Sequence, residues 1–371
     1  MQVKVGDIIA IMERNFPLFL VQEWDNVGLQ SGSAQQPVNK ILVALDLTSE
    51  VMQTAIAGKY NLIITHHPLL FKPLKNIDVD RFPGNLIAQL IKNDISLYAA
   101  HTNLDMAERG INQLLAEKIG LQEIIPLSNE EVEPLYKLVV FVPLTHIEQV
   151  RQAIHAAGAG KTGGYSECSF QSPGTGSFKP GTGTNPFLGK VGQLEQVEEI
   201  RLETVCLERD LNKVLEAMHA SHPYEEVAYD LLQLKNGGQT YSFGRKGILT
   251  PELSLKVLAE QVKTRLDISS IRITGNPDKK IKNVAVVSGS GAAMIPLVAR
   301  QKIDCLITGD VKYHEARDAE EMGMGIIDAG HQETEEFIVS HLKELLQQEC
   351  KRQGNEITVD NLYISPAIKT I

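Results

Sequence analysis

The sequence predicts a discontinuous α/β core, residues 1–125 plus 245–371, with an α+β domain inserted at 128–240. Three observations predict it. Six short apolar runs lack polar alternation. Helical segments fall between most of them. The middle of the chain differs in texture.

The runs are 41–47 (ILVALDL), 62–65 (LIIT), 95–100 (ISLYAA), 284–289 (VAVVSG), 305–310 (CLITGD) and 325–330 (GIIDAG). Continuous Ile, Val and Leu without alternation is the mark of strands covered on both faces. Segments 86–92, 315–322 and the longer 334–350 read as helices. Strand and helix in turn argue an α/β fold. In the middle, 136–158 reads as strand then helix, 197–208 as strand, 210–222 as helix and 227–234 as strand, the split βαβ order of ferredoxin-like domains. Between them lies a Gly/Ser/Thr/Pro-rich stretch, 160–187, which is either a mobile loop or a wide hairpin.

At 371 residues the chain is long enough for two or three cores. A net charge of −10 opposes non-specific binding to nucleic acid or anionic membrane. The longest apolar run near the start spans only residues 8–11, and no window approaches the roughly 18 apolar residues of a membrane span. The expectation is a soluble, cytoplasmic protein. The four cysteines form no CxxC motif, which fits reduced structural thiols.

The chemistry is carried by histidine placement. His66 and His67 directly follow run 62–65. His101 follows run 95–100, with Asp105 four residues on. His331 follows run 325–330, with Glu335 four residues on. Carboxyl ends of strands in open α/β sheets form the crevice where ligands bind. If each loop turns into a helix, positions i and i+4 share a face, so each pair offers an imidazole and a carboxylate to one centre. Mixed imidazole and carboxylate ligands suit zinc first, then iron, manganese or cobalt. So many donors exceed one open site and match two divalent ions about 3.5–4 Å apart. Glu335 is the candidate bridge. Against this stands the ordinary role of a strand-end histidine, a hydrogen-bonded structural residue.

Other features are open. Asp310 and His314 form a reversed pair that either orients a ligand and shuttles a proton, or is a helix cap beside a surface histidine. Segment 286–295 is either a tight turn capped by Ser290 or a phosphate-binding helix start. Trp24 reads as core, with Asp25 and Asn26 in a turn, and cleft lining is its other reading. His146, His155, His219 and His222 read as surface residues of the insert. No GxxxxGK[ST] loop is present.

The motifs WDNVGLQ (24–30), ITHHPLLF (64–71), AAHTNLD (99–105), TGDVKYHEARDA (308–319) and DAGHQETE (328–335) together resemble the GTP cyclohydrolase I type 2 homologue family, also called Nif-three-like. The resemblance implies two related α/β halves around a dinuclear metal site. It places the metal ligands at His66, His67, Asp105, His331 and Glu335, with His101 close by. It also implies a toroidal homohexamer. HPYEEVAYD (222–230) makes the insert similar to PII-like and CutA-like domains. Two functions follow as expectations. One is a metal-dependent hydrolase acting on a small molecule such as a nucleotide or phosphoester, with His101 or His314 as catalytic base unless activated water serves. The other is a metal-dependent binding protein whose insert senses a ligand or docks a partner.

Overall fold

A computed structural model of the chain describes residues 2–128 and 131–369. The chain divides into two compact units, Met1–Glu130 with Tyr241–Ile371, and Glu131–Thr240. Among the described residues no helix is long and apolar enough to cross a membrane.

The first unit holds two sheets. One has five strands in the order Gly28–Ser31, Ser96–Ala99, Leu62–Thr65, Lys40–Ala44 and Thr358–Asn361. All its pairings are parallel except that of the Gly28–Ser31 edge. The other has six strands, in the order Arg272–Thr274, Gly325–Asp328, Cys305–Thr308, Lys280–Val286, Arg245–Ser254 and Gln122–Pro126. Its central three run parallel. The six apolar runs occupy the centres of these sheets, and Leu62–Thr65, Ser96–Ala99, Cys305–Thr308 and Gly325–Asp328 are buried at every position. Continuous burial is why those segments carry no polar alternation.

The halves exchange ends. Strand Gln122–Pro126 lies on the edge of the second sheet, and Thr358–Asn361 on the edge of the first. Helix Ile338–Arg352 buries Ile338, Val339, Leu342 and Leu346 in the core that holds Ile41, Val43, Leu62 and Ile64 of the first sheet. The expected helix 334–350 is two helices. A five-residue turn, His331–Glu335, precedes Ile338–Arg352, with the break at Glu336 and Phe337. The break lets His331 and Glu335 follow one axis while the long helix packs along another.

Arg245, buried on a strand of the second sheet, joins the two halves. Its guanidinium donates to the carbonyls of Met106 and Ala107 at 3.2 and 2.7 Å, and of Ser242 and Gly244 at 2.9 and 3.1 Å. Met106 ends the short helix that carries Asp105. Arg245→Met should cost about 2 kcal/mol or more, because buried carbonyls lose a charged donor. The urea midpoint of the variant, at unchanged m-value, measures it.

The second unit is a four-stranded antiparallel sheet ordered Tyr229–Gln233, Leu135–Pro143, Glu195–Leu207 and Ser169–Phe178. Helices Ile147–Ala156 and Glu208–Ser221 bury Val150, Ile154, Val214 and Met218 against Leu138, Val140, Val142 and Leu202 on one face. The Gly-rich stretch is a hairpin arm in its middle part. Ser169–Phe178 pairs residue for residue with Thr204–Glu195, through Gly174 and Gly176. His222 departs from its surface reading. It is buried, with Nε2 on the Phe141 carbonyl at 3.0 Å and Nδ1 accepting the Tyr224 amide at 3.1 Å.

Candidate metal centre

His66, His67, His101, Asp105, His331 and Glu335 all come to one place. His66 and His67 follow the last residue of strand Leu62–Thr65, and both of their amides donate to the Leu45 carbonyl, at 3.1 and 3.0 Å. That bend takes the pair out of strand alternation. Their rings lie on the same side, 4.8 Å apart. Asp105 lies on the helix Thr102–Met106 that starts just after His101, and Glu335 lies on helix His331–Glu335. The i,i+4 spacing brings His331 Nε2 to 3.2 Å from Glu335 Oε2.

Each imidazole is held by its outer nitrogen. His66 Nδ1 donates to the Ala100 carbonyl at 2.8 Å, and His67 Nδ1 to Asp46 at 2.9 Å. His101 Nδ1 donates to Asp25 at 2.8 Å, and His331 Nδ1 to Asp310 at 2.7 Å. An acceptor on Nδ1 holds a proton there and leaves Nε2 as the nitrogen that an ion would take, in exchange for any proton it carries. His67 and His331 turn theirs towards each other, 3.4 Å apart. Glu335 lies between the donors. Its Oε2 is 3.1 Å from His67 Nε2, and its Oε1 is 3.8 Å from His66 Nε2, which lies 3.6 Å from Asp105 Oδ1. His66 Nε2, Asp105 Oδ1 and Glu335 Oε2 are buried and lack a well-formed hydrogen bond. Buried electron-rich atoms that face one another without a donor between them are what a cation would satisfy.

Two groups of donors are close enough to hold an ion, His66 with His67 and His101, and His67 with His331 and Glu335. The electrostatics agree. Burial lowers the pKa of His67, but Asp46 and Glu335 outweigh it and hold the ring up to about 10. Hydrogen bonding to Glu335, and then to Asp310, holds His331 up to about 9 despite burial. Burial raises Glu335, yet His331, His66 and His67 pull it well below the ordinary carboxylate range. Burial raises Asp105 against the pull of His66 and His101. The site is built for positive charge.

Sequence reasoning missed Asp25 and Asp46. Asp25 takes His101 and also the Thr102 amide at 3.1 Å and hydroxyl at 2.5 Å. Burial raises its pKa, but His101 and Thr102 together lower it to about 2. Asp25 belongs to the WDNVGLQ motif, which does not reveal its partner. Asp310 does orient His331. His314 lies outside both donor groups, exposed on helix Tyr313–Glu321 with its ring edge-on to Tyr313 at 5.3 Å. Trp24 is not core. It is 58% exposed and sits edge-on to His101 at 6.2 Å and Phe71 at 6.0 Å, so it lines the approach to the histidines. Ser290 caps no helix, because the segment after it is a 3₁₀ turn, Ala292–Met294, running into the short helix Ile295–Arg300. The amides of Ser288, Gly289 and Gly291 are taken by Asn112, Thr334 and Thr308, so this turn serves the fold.

Asp310→Asn keeps the size of the side chain but weakens its hold on His331 Nδ1. Apparent metal affinity should fall by about 10–100-fold. Chelator competition against the unaltered protein checks this.

Fold and site together define an α/β protein with a histidine and carboxylate cluster at the carboxyl ends of its strands, fit for divalent metal. Comparison with known proteins narrows this. Residues 3–366 match the Duf34/NIF3 family (NGG1p interacting factor 3), and the chain belongs to that family. It is 43% identical over 361 residues to a protein of Halalkalibacterium halodurans, with 97% of each chain covered. It is 44% identical over 324 residues to one of Bacillus subtilis, with 87% of each covered. Both are named "GTP cyclohydrolase 1 type 2 homolog". The crystal structure of a Bacillus cereus protein related to NIF3 superposes at a TM-score of 0.93 with 42% identity, covering 100% of both chains.

Proposed function

We propose that this chain is a metal-dependent hydrolase with a dinuclear centre. His67, His331 and Glu335 would hold one divalent ion, and His66 and Asp105, with Glu335 shared, would hold the other. Zinc suits the donor set best, and iron, manganese or cobalt also suit it. The observation that carries this reading is four imidazoles locked by their outer nitrogens, three of which, His66, His67 and His331, turn Nε2 towards shared carboxylates. A bound pair of ions supplies Lewis acidity and lowers the pKa of water. His101, set by Asp25 and beside His66 and His67, is placed to hold or move a proton. Trp24 and Phe71 offer rings on which a flat substrate portion can rest. A nucleotide or phosphoester fits such a centre, and the relatives' name, which mentions GTP, favours the nucleotide.

The test is metal analysis followed by a substrate screen. Protein purified without chelator should carry about two ions per chain. It should hydrolyse a nucleotide or phosphoester only when both are present. One ion per chain, or turnover that survives chelation, overturns the reading. The strand order of residues 131–240 supports a ferredoxin-like insert. A second reading, metal-dependent binding without turnover, is favoured by that unit's own cavity. The toroidal hexamer belongs to the proposal, and light scattering tests it.

Protons and ions compete for the same Nε2 atoms. His67 and His331 are held up to about 10 and about 9, so both are protonated at neutral pH in ion-free protein. Ion uptake should therefore release protons, and apparent affinity should climb as pH rises towards that range. Calorimetry in buffers of different ionisation enthalpy measures the release. Ion-free protein should show the opposite trend. These raised pKa values stabilise it fully below about 6.5, and the contribution is lost as pH rises through 9 to 10.

A further inference from the structure

The second unit holds a cavity of about 580 Å³ that the metal centre does not use. It opens on the face of the sheet away from the helices, since it is lined by Phe141 and Arg201, whose neighbours Val140, Val142 and Leu202 face the helical core. Three aromatic rings besides Phe141 wall it. Tyr224 lies 5.9 Å from Phe178 and 6.2 Å from Phe187. Among them is one buried carboxylate, Glu199, 8% exposed.

Glu199 is half-satisfied. Its Oε1 accepts the Tyr224 hydroxyl at 2.9 Å. Its Oε2 has no hydrogen-bond donor among the described residues. Burial, then Glu199 itself, raises the Tyr224 pKa, so the phenol stays a donor. A Cβ at Gly176 would lie 2.1 Å from Glu199 Oε2, so the bare backbone there makes room for the carboxylate. Gly174, paired with Glu199 across the strands, faces open space. Glycine inside a strand weakens it, and its recurrence here marks a place where something approaches closely.

An alkyl ligand would leave Oε2 desolvated against hydrocarbon, which is costly. An anion would find Lys179 and Arg201 in the lining but would also meet three carboxylates, Glu199, Glu225 and Glu226. A flat ring with an N–H on its edge satisfies both the wall and the oxygen, and the volume is that of a small-molecule site, roughly 300–1,000 Å³. We propose that this cavity binds an amino-substituted planar heterocycle of the aminopurine type, its amino group on Glu199 Oε2 and its ring against Phe178, Phe187 and Tyr224. The proposal is independent of the metal centre.

The test is titration of the full chain with 2-aminopurine riboside, followed by its fluorescence, and by calorimetry with adenosine, guanosine and purine riboside, which lacks the amino group. At least one amino-bearing probe should saturate at one site per chain. It should bind at least about tenfold tighter than purine riboside, because a site built to hydrogen-bond a donor rejects the analogue without it. Glu199→Gln should lose at least about tenfold of that affinity. Gly174→Leu, which fills the open space from an exposed position, should abolish it, and metal chelation should leave it unchanged. Gly174→Leu decides the matter if Glu199→Gln fails to fold. The proposal is overturned if no amino-bearing probe saturates below about 1 mM, if purine riboside binds equally well, or if Gly174→Leu binds like the unaltered chain.

Discussion

Glu335→Gln is expected to strip the centre of both ions. The side chain is buried, with Oε2 beside His67 and His331 at 3.1 and 3.2 Å and Oε1 beside His66 at 3.8 Å. It is the carboxylate that faces histidines from both halves of the first unit. Glutamine keeps the size but removes the charge that would offset the two dications of the proposed centre. Unit charges about 4 Å apart at an effective dielectric constant of about 20 interact by about 4 kcal/mol, roughly a thousandfold in affinity. His67→Ala removes one imidazole and should release mainly the ion shared with His331, leaving the one at His66 and Asp105. Metal content beside circular dichroism decides. If Glu335→Gln keeps both ions, or if His67→Ala loses both while Glu335→Gln loses one, the bridge is assigned wrongly.

The second large effect falls on a residue that binds nothing. Gly289 sits at φ +61°, and a Cβ there would lie 2.2 Å from Glu335 Oε1 and 3.2 Å from His331 Nε2. Gly289→Ala therefore drives a methyl group into the carboxylate without removing a ligand. The backbone conformation costs an L-residue about 1–2 kcal/mol, and displacement of Oε1 should cost the ion at His66 and Asp105. Gly323→Ala is the control. It shares a positive φ, +71°, but meets nothing within 4 Å. It should lose the same backbone stability and keep both ions. Equal metal content in the two variants would exclude the proposed crowding.

The sequence by itself determined a good deal. Burial on both faces writes itself as unbroken apolar runs, so the central strands were legible, and Leu62–Thr65 matches its run residue for residue. Strand ends in such sheets point to one crevice, and i,i+4 spacing works wherever a helix begins. Those two rules were enough to bring together His66, His67, His101, Asp105, His331 and Glu335. The edge strands were not legible. Thr358–Asn361 buries only Val359 fully, and so carries little apolar signal. Its place in the first sheet depends on the long helix before it returning across the molecule.

Only the tertiary structure decided which groups hold the histidines. Asp25 lies 76 residues from His101, Asp46 lies 21 from His67, and Asp310 lies 21 from His331. A carboxylate at such a distance looks like any other acidic residue until the chain folds. Local spacing could propose His314, which the fold leaves exposed on a helix surface. It could equally place Trp24 in the core, because an indole's bulk says it packs but not against what. Hydrophobic pattern and helical spacing act over a few residues and are written in order along the chain. Long-range hydrogen bonds and the exchange of ends between the two halves depend on which surfaces finally meet, and that was fixed by the packing alone.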